Sequence, residues 1–337
     1  MRLAIILGLV WPGLLLGEDF ASTTARFDRG PVFTVLEEND LVVRTDRHYT
    51  QGIKFSYLHR DGELPGFLRS VNTFLPECGY KSFTARYGLQ IGQNIYTPAN
   101  ISAEELLSRD RPYAGWLYGG LTLQRRGLTS GRWPALESFE IQVGIIGPPS
   151  LAEQAQTWVH EVRAMDLPMG WENQLETEPG IELRYWRGMR LAFSQRSARH
   201  VDLIPHAGAS LGNVTTALRV GGTIRAGLHL PDSFGVQTIS SLLASEGGWS
   251  AGDPAWSIYV FTGVEGWLVG HNAFLDGNLY QDSHEVSKEP VVGEWKVGFA
   301  VGFRHAEGGF AYVFRSREFR RQDEHNGYGS LFVKVKL

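Results

Sequence analysis

The sequence contains almost no cysteine: Cys78 is the single one among 337 residues. A chain with one thiol forms no internal disulfide and has no thiolate set for a metal. Cys78 itself, in Pro76-Glu77-Cys78-Gly79, has no histidine beside it and reads as turn filler rather than as a nucleophile. Apolar runs long enough to cross a bilayer as a helix, roughly 20 residues, are missing too, and a mean hydropathy of −0.17 argues against a helical membrane protein. That absence leaves a β-barrel open, because barrel strands alternate apolar with polar residues and escape a hydropathy scan. Positive charge is not in excess: a formal net charge of −4 and a pI near 6.2 disfavour nucleic acid as a partner. Gly-x-Ser-x-Gly occurs only as Gly208-Ala209-Ser210-Leu211-Gly212, inside an alternating strand segment rather than at a strand-to-helix turn, and His-Glu-x-x-His and phosphate-loop patterns do not occur, which removes the corresponding serine hydrolase and zincin readings.

Glycine and aromatic rings are abundant, with 40 Gly, 10 Trp, 12 Tyr and 18 Phe, a composition that suits a closed sheet with aromatic girdles. The chain opens with Met1-Arg2 and an apolar run from Leu3 to Leu16, followed by Gly17, Ala21 and Ser22. A positive residue, a short apolar core and small residues at its exit mark 1–21 as a secretory signal peptide, cleaved after Gly17 or Ala21, with 22–337 as a single domain. Alternation is clearest in Phe139-Glu140-Ile141-Gln142-Val143-Gly144-Ile145, and similar segments recur along the chain. The expected fold is all-β: a closed antiparallel transmembrane β-barrel of about 12 strands. An even count puts both termini on the periplasmic side, so the connections after odd-numbered strands face outward. Two inner connections, 61–82 and 229–254, are long for periplasmic turns, and Gly66 to Phe74 suits a short amphipathic helix at the inner rim.

Three outward segments carry chemistry. In Gly147-Pro148-Pro149-Ser150-Leu151-Ala152-Glu153, Ser150 and Glu153 have capping-box spacing, so a helix should run from Leu151 to about Ala164. It puts Gln156 and His160 four apart on one face, with Leu151, Ala155, Trp158, Val159 and Val162 available to pack it down. His160 is either a surface histidine or a general base, with Gln156 orienting its ring or a water. The second segment, Glu37-Glu38-Asn39-Asp40 with Thr45-Asp46-Arg47-His48-Tyr49-Thr50-Gln51-Gly52, crowds carboxylates at a hairpin end. It is either a solvated tip or an oxygen-ligand site for a hard cation such as calcium. In the third, Asp110-Arg111-Pro112-Tyr113-Ala114-Gly115-Trp116, Arg111 suits a phosphate and the aromatics suit a membrane interface.

Taken in order, these segments resemble the lipid A 3′-O-deacylase (LpxR) family of outer-membrane barrels over nearly the whole mature chain. Gly170-Trp171-x-Asn173-Gln174 and Asp202-Leu203-Ile204-Pro205-His206 complete the likeness. The resemblance implies a twelve-stranded barrel with a site between its outer wall and an extracellular loop helix. It further implies phospholipase A2-like, calcium-dependent release of the 3′-acyloxyacyl group of lipid A in the outer leaflet, without an acyl-enzyme. His160 would then be the general base, Gln156 its polar partner, Asn39 and Asp40 the Ca2+ ligands, and Arg111 a contact for a lipid A phosphate. An outer-membrane phospholipase, or a non-catalytic porin or adhesin in which His160 only packs, are the competing readings.

Overall fold

Period-two alternation builds the wall. The computed structural model describes residues 30–40, 48–131, 133–193, 199–246, 254–323 and 325–337. The expected signal peptide, 1–21, and Thr45, Asp46 and Arg47 of the hairpin motif lie outside them. The strands are β1 (Val32–Asn39), β2 (His48–Leu58), β3 (Tyr80–Thr97), β4 (Ala114–Thr129), β5 (Pro134–Ile146), β6 (Glu178–Met189), β7 (Leu191–Ala192), β8 (Arg199–Gly212), β9 (Thr215–Leu228), β10 (Trp256–Asn272), β11 (Val291–Phe303), β12 (Ala306–Arg315) and β13 (Asn326–Lys336). Neighbours in sequence are antiparallel neighbours in the sheet, and β1 pairs with β13. Only Arg190 separates β6 from β7, and both pair with β8. The 13 strands therefore form twelve staves (13 − 1), as the alternation implies, and the closed sheet leaves no edge unpaired.

The two faces of the wall are inverted relative to a water-soluble protein. On β6, Ile181 and Leu183 are exposed while Glu182 and Arg184 are buried; on β10, Ile258 and Val260 are exposed between buried Ser257, Tyr259 and Phe261. Apolar side chains outward and charges inward are what a barrel in lipid requires. Among the described residues no helix is long and apolar enough to cross a membrane.

The lumen is filled. The long connection after β9, expected as an inner turn, folds into the barrel. Leu230, Val236 and Ile239 join one core cluster, and Phe234, Leu242 and Leu243 another. Its backbone is tied to wall side chains: Arg219 donates to the Ser240 carbonyl at 2.6 Å, and the Ile239 amide donates to Glu38 at 2.7 Å. Arg225 and Asp202, both buried, pair at 2.6 Å beneath it, and Arg225 also holds Ser233. Removing one partner of such a buried pair costs about 3–5 kcal/mol, so the plug is firmly seated.

α1 (Gly66–Phe74) lies between β2 and β3, at the rim that carries the chain ends. The opposite rim carries the connections 98–113, 147–177, 273–290 and 316–325, which contact one another through pairs such as His284 with the Asp110 carbonyl at 2.7 Å.

Candidate active site

The helix expected after Pro149 is α2 (Ala152–Arg163), preceded by a 310 turn at Pro148–Ser150. Its start differs from the capping-box expectation. No side chain caps it; Leu151 takes a left-handed conformation with φ of 59°, and the 310 turn absorbs the chain reversal instead. Ser150 is spent elsewhere, buried against the wall. A Cβ on Gly115 would meet Ser150 Oγ at 2.0 Å and Ala152 Cβ at 2.4 Å, so only glycine lets the helix start dock on β4. Gln93 of β3 donates to the Ser150 carbonyl at 2.6 Å, and Ile95, Tyr113, Ala152 and Trp171 pack together beneath the first turn. Ile95 and Gly115 alternate with lumen-lining Tyr96 and Trp116, so α2 sits on the outside of the barrel.

The face on which α2 sits corrects a second expectation. Leu151, Trp158 and Val162 do not pack it down; they are exposed, Trp158 by 65%. The seated face is Ala152, Gln156 and His160, one residue per turn, with Gln156 at 1% and His160 at 3% exposure. The reversal follows from the surroundings, since a helix on the outside of a membrane barrel turns its apolar stripe to lipid and its polar side chains to the protein.

The polar face is ordered by two hydrogen bonds. Trp171 Nε1–H, which can only donate, bonds Gln156 Oε1 at 3.0 Å. The Gln156 amide is therefore fixed, with its buried Nε2 left without a hydrogen-bond partner. His160 Nδ1 lies 2.5 Å from the Asp166 carbonyl oxygen. A carbonyl only accepts, so Nδ1 carries the proton and Nε2 is the basic nitrogen.

Register brings Asn39 toward this helix. Asn39 pairs with Gln51, Gln51 with Ile95, and Ile95 with Gly115. Cross-strand partners share a face, so these four form one outward row ending where α2 docks. Asp40 is the first residue beyond the β1 ladder and is fully buried. Strict alternation, which would send neighbours to opposite faces, therefore does not govern the pair. An amide oxygen and a carboxylate are the donors a hard cation takes, so in chemistry these residues fit calcium. Among the described residues no group of three or more His, Cys, Asp or Glu is placed to hold a metal.

Arg111 is not part of this cluster. Its side chain is fully buried, paired with Glu318 at 3.3 Å and stacked over Tyr96 at 5.0 Å. It ties the connection before β4 to the one after β12. The rest of its motif is architectural as well. Asp110 accepts the amides of Ala99 and Arg111, Tyr113 donates to the Ile101 carbonyl and packs its ring tilted against Trp171, and Gly115 seats α2. Asp202 and His206 face the lumen, His206 bonding Glu265 at 2.9 Å. The residue that sequence reasoning left without a role is Trp171; its place in Gly170-Trp171-x-Asn173-Gln174 was the available signal.

Comparison with known proteins agrees with this architecture. The sequence profile described as outer membrane protein LpxR matches residues 6–337. LpxR from Salmonella typhimurium superposes with a TM-score of 0.72 at 21% identity, covering 91% of this chain and 100% of that one. The β domain of the Bordetella autotransporter BrkA matches at a TM-score of 0.43 and 8% identity, covering 91% and 99%. No curated protein sequence matches significantly. With a family profile spanning nearly the whole chain and a solved member sharing its barrel, the chain belongs to the LpxR family of outer membrane proteins.

Proposed function

We propose that this outer-membrane barrel is a calcium-dependent lipid A deacylase that hydrolyses the 3′-acyloxyacyl ester with a water activated by His160. The observation that carries the reading is the ordered pair under α2: a histidine held in one tautomer by the Asp166 carbonyl, beside a glutamine whose amide donor is spare.

In this reading His160 Nε2 takes a proton from water as the water oxygen bonds to the ester carbonyl carbon. The bond from that carbon to the sugar oxygen then breaks, and His160 returns the proton to the departing oxygen. The products are the free acyloxyacyl acid and the 3′-hydroxyl, and no bond to the protein forms. Gln156 Nε2–H donates to the attacking water or to the oxygen on which charge develops. Asn39 and Asp40 would hold the calcium ion, which when bound supplies positive charge at the carbonyl oxygen. The outward stripe of Leu151, Trp158 and Val162 suits a substrate presented from the acyl chains. The even stave count, with α2 at the rim opposite the chain ends, supports an α2 rim at the outer leaflet. Arg111, buried against Glu318, is assigned no substrate contact in this reading.

The test is turnover by the purified barrel in detergent. Lipid A should lose its 3′-acyloxyacyl acid with calcium present and keep it under chelation. Release of simple fatty acids from phospholipid, with lipid A untouched, would assign a phospholipase instead.

A further inference from the structure

A buried ion pair sits on the lipid side of the wall. On β4, Gln124 and Arg126 face the lumen, where they bond the Ser245 carbonyl and Glu246, so Arg125 between them faces outward. Glu137 on β5 faces outward by the same alternation, next to lumenal Leu136. The two side chains are 3.5 Å apart and both are fully buried. Bare charges on this surface would be costly in lipid.

They are covered by the C-terminal end of α1. Arg125 Nε donates to Asn72 Oδ1 at 2.7 Å, and its terminal nitrogens donate to the carbonyls of Asn72, Leu75 and Pro76. Arg187 of β6 donates to the Cys78 carbonyl at 2.6 Å. The last carbonyls of a helix have no partner within it, and here a guanidinium from the wall supplies one. The clasp holds α1 against the outside of β4 to β6.

Held there, the helix has three faces at about 100° per residue. Leu68 and Asn72 face the wall. Phe67, Val71 and Phe74, spaced i, i+4, i+7, form an exposed apolar stripe, Phe74 by 89%. Arg69 and Thr73 are exposed on the third face. The strands under the clasp carry the barrel's apolar belt, with Ile141 and Leu183 exposed further along them. The stripe is thus continuous with a surface already turned to lipid.

We propose that α1 is an interfacial anchor, with Phe67, Val71 and Phe74 inserted among the acyl chains of the phospholipid leaflet at the rim of the chain ends, and Arg69 and Thr73 at its headgroups. That this is the inner leaflet rests on the sidedness given above; the contact itself does not. The anchor sets how deep the barrel rides, and so the height at which α2 meets the other leaflet.

The test uses the full chain in a Cys78→Ser background. Single cysteines replace Phe67, Val71 or Phe74, and separately Arg69 or Thr73. Each is nitroxide-labelled and reconstituted in phosphatidylethanolamine–phosphatidylglycerol vesicles, with heat-modifiable gel mobility reporting the folded barrel. Collision with oxygen should exceed collision with a water-soluble nickel complex at 67, 71 and 74, and the order should reverse at 69 and 73. Water-like accessibility at all five positions would overturn the proposal, as would protection from both reagents at 67, 71 and 74, which would mean a protein partner. A second measurement leaves α1 unlabelled: a nitroxide at Ile141→Cys should change depth when Phe67, Val71 and Phe74 are all replaced by Ser. An unchanged depth would overturn the anchoring role.

Discussion

Trp171 decides what Gln156 can do. Its indole N–H holds the glutamine oxygen, which aims the amide donors away from it. Trp171→Phe keeps most of the ring volume and removes that hydrogen bond, so the amide loses its orientation. The expected cost is about tenfold in kcat, the scale of one hydrogen bond, against about 10²–10⁴-fold for His160→Ala. Both variants should keep the heat-modifiable mobility of the folded barrel, and an unchanged kcat in Trp171→Phe would contradict this role. Gln156 and His160 could be found in the sequence because both lie on one helix four residues apart. Trp171 stood out only as part of Gly170-Trp171-x-Asn173-Gln174, and its role did not, because its bond to Gln156 crosses a loop reversal of 15 residues that no period encodes. Arg111 shows the opposite difficulty. Its type suits a phosphate, but it lies in the connection before β4, where no period assigns a face, and there it pairs with buried Glu318.

At the scale of the element, the helix of the candidate site was placed by sequence to within a residue of Ala152–Arg163 at each end, yet turned the wrong way round. Amphipathic periodicity gives a face and not its surroundings. In water Leu151, Trp158 and Val162 would be buried; on a membrane barrel they are the exposed side. Docking depends on the absent side chain of Gly115. Gly115→Val puts methyl groups where Ser150 and Ala152 already sit, and overpacking of this kind costs about 1–3 kcal/mol. That is enough to lift a short helix and too little to open a twelve-stave barrel. Gly115→Val should therefore abolish deacylation while gel mobility stays that of the folded protein. Full activity in this variant would show that α2 does not need its seat.

For the whole molecule, alternation foretold the closed barrel and its stave number, because each strand separates lipid from lumen by the same rule of two. It did not foretell the plug. The connection after β9 has no long regular period, and its hold on the lumen is made through carbonyls accepting from Arg184, Arg219 and Lys296, a pattern visible only in three dimensions. In planar bilayers the intact barrel should be silent, and replacing 233–245 by a short Gly-Ser linker should give stepwise ion conductance; equal conductance by both would contradict a lumen closed by this segment. The central claim is that His160, on the outside of this barrel, cleaves lipid A. The most direct measurement is the lipid A mass spectrum of a Gram-negative host expressing the wild type, His160→Ala or Asp40→Ala, each checked for a folded, surface-exposed barrel. The expected result is loss of one 3′-linked acyloxyacyl group with the wild type and an unaltered spectrum with either variant. An unaltered spectrum with the folded wild type, or the same loss with His160→Ala, would contradict it.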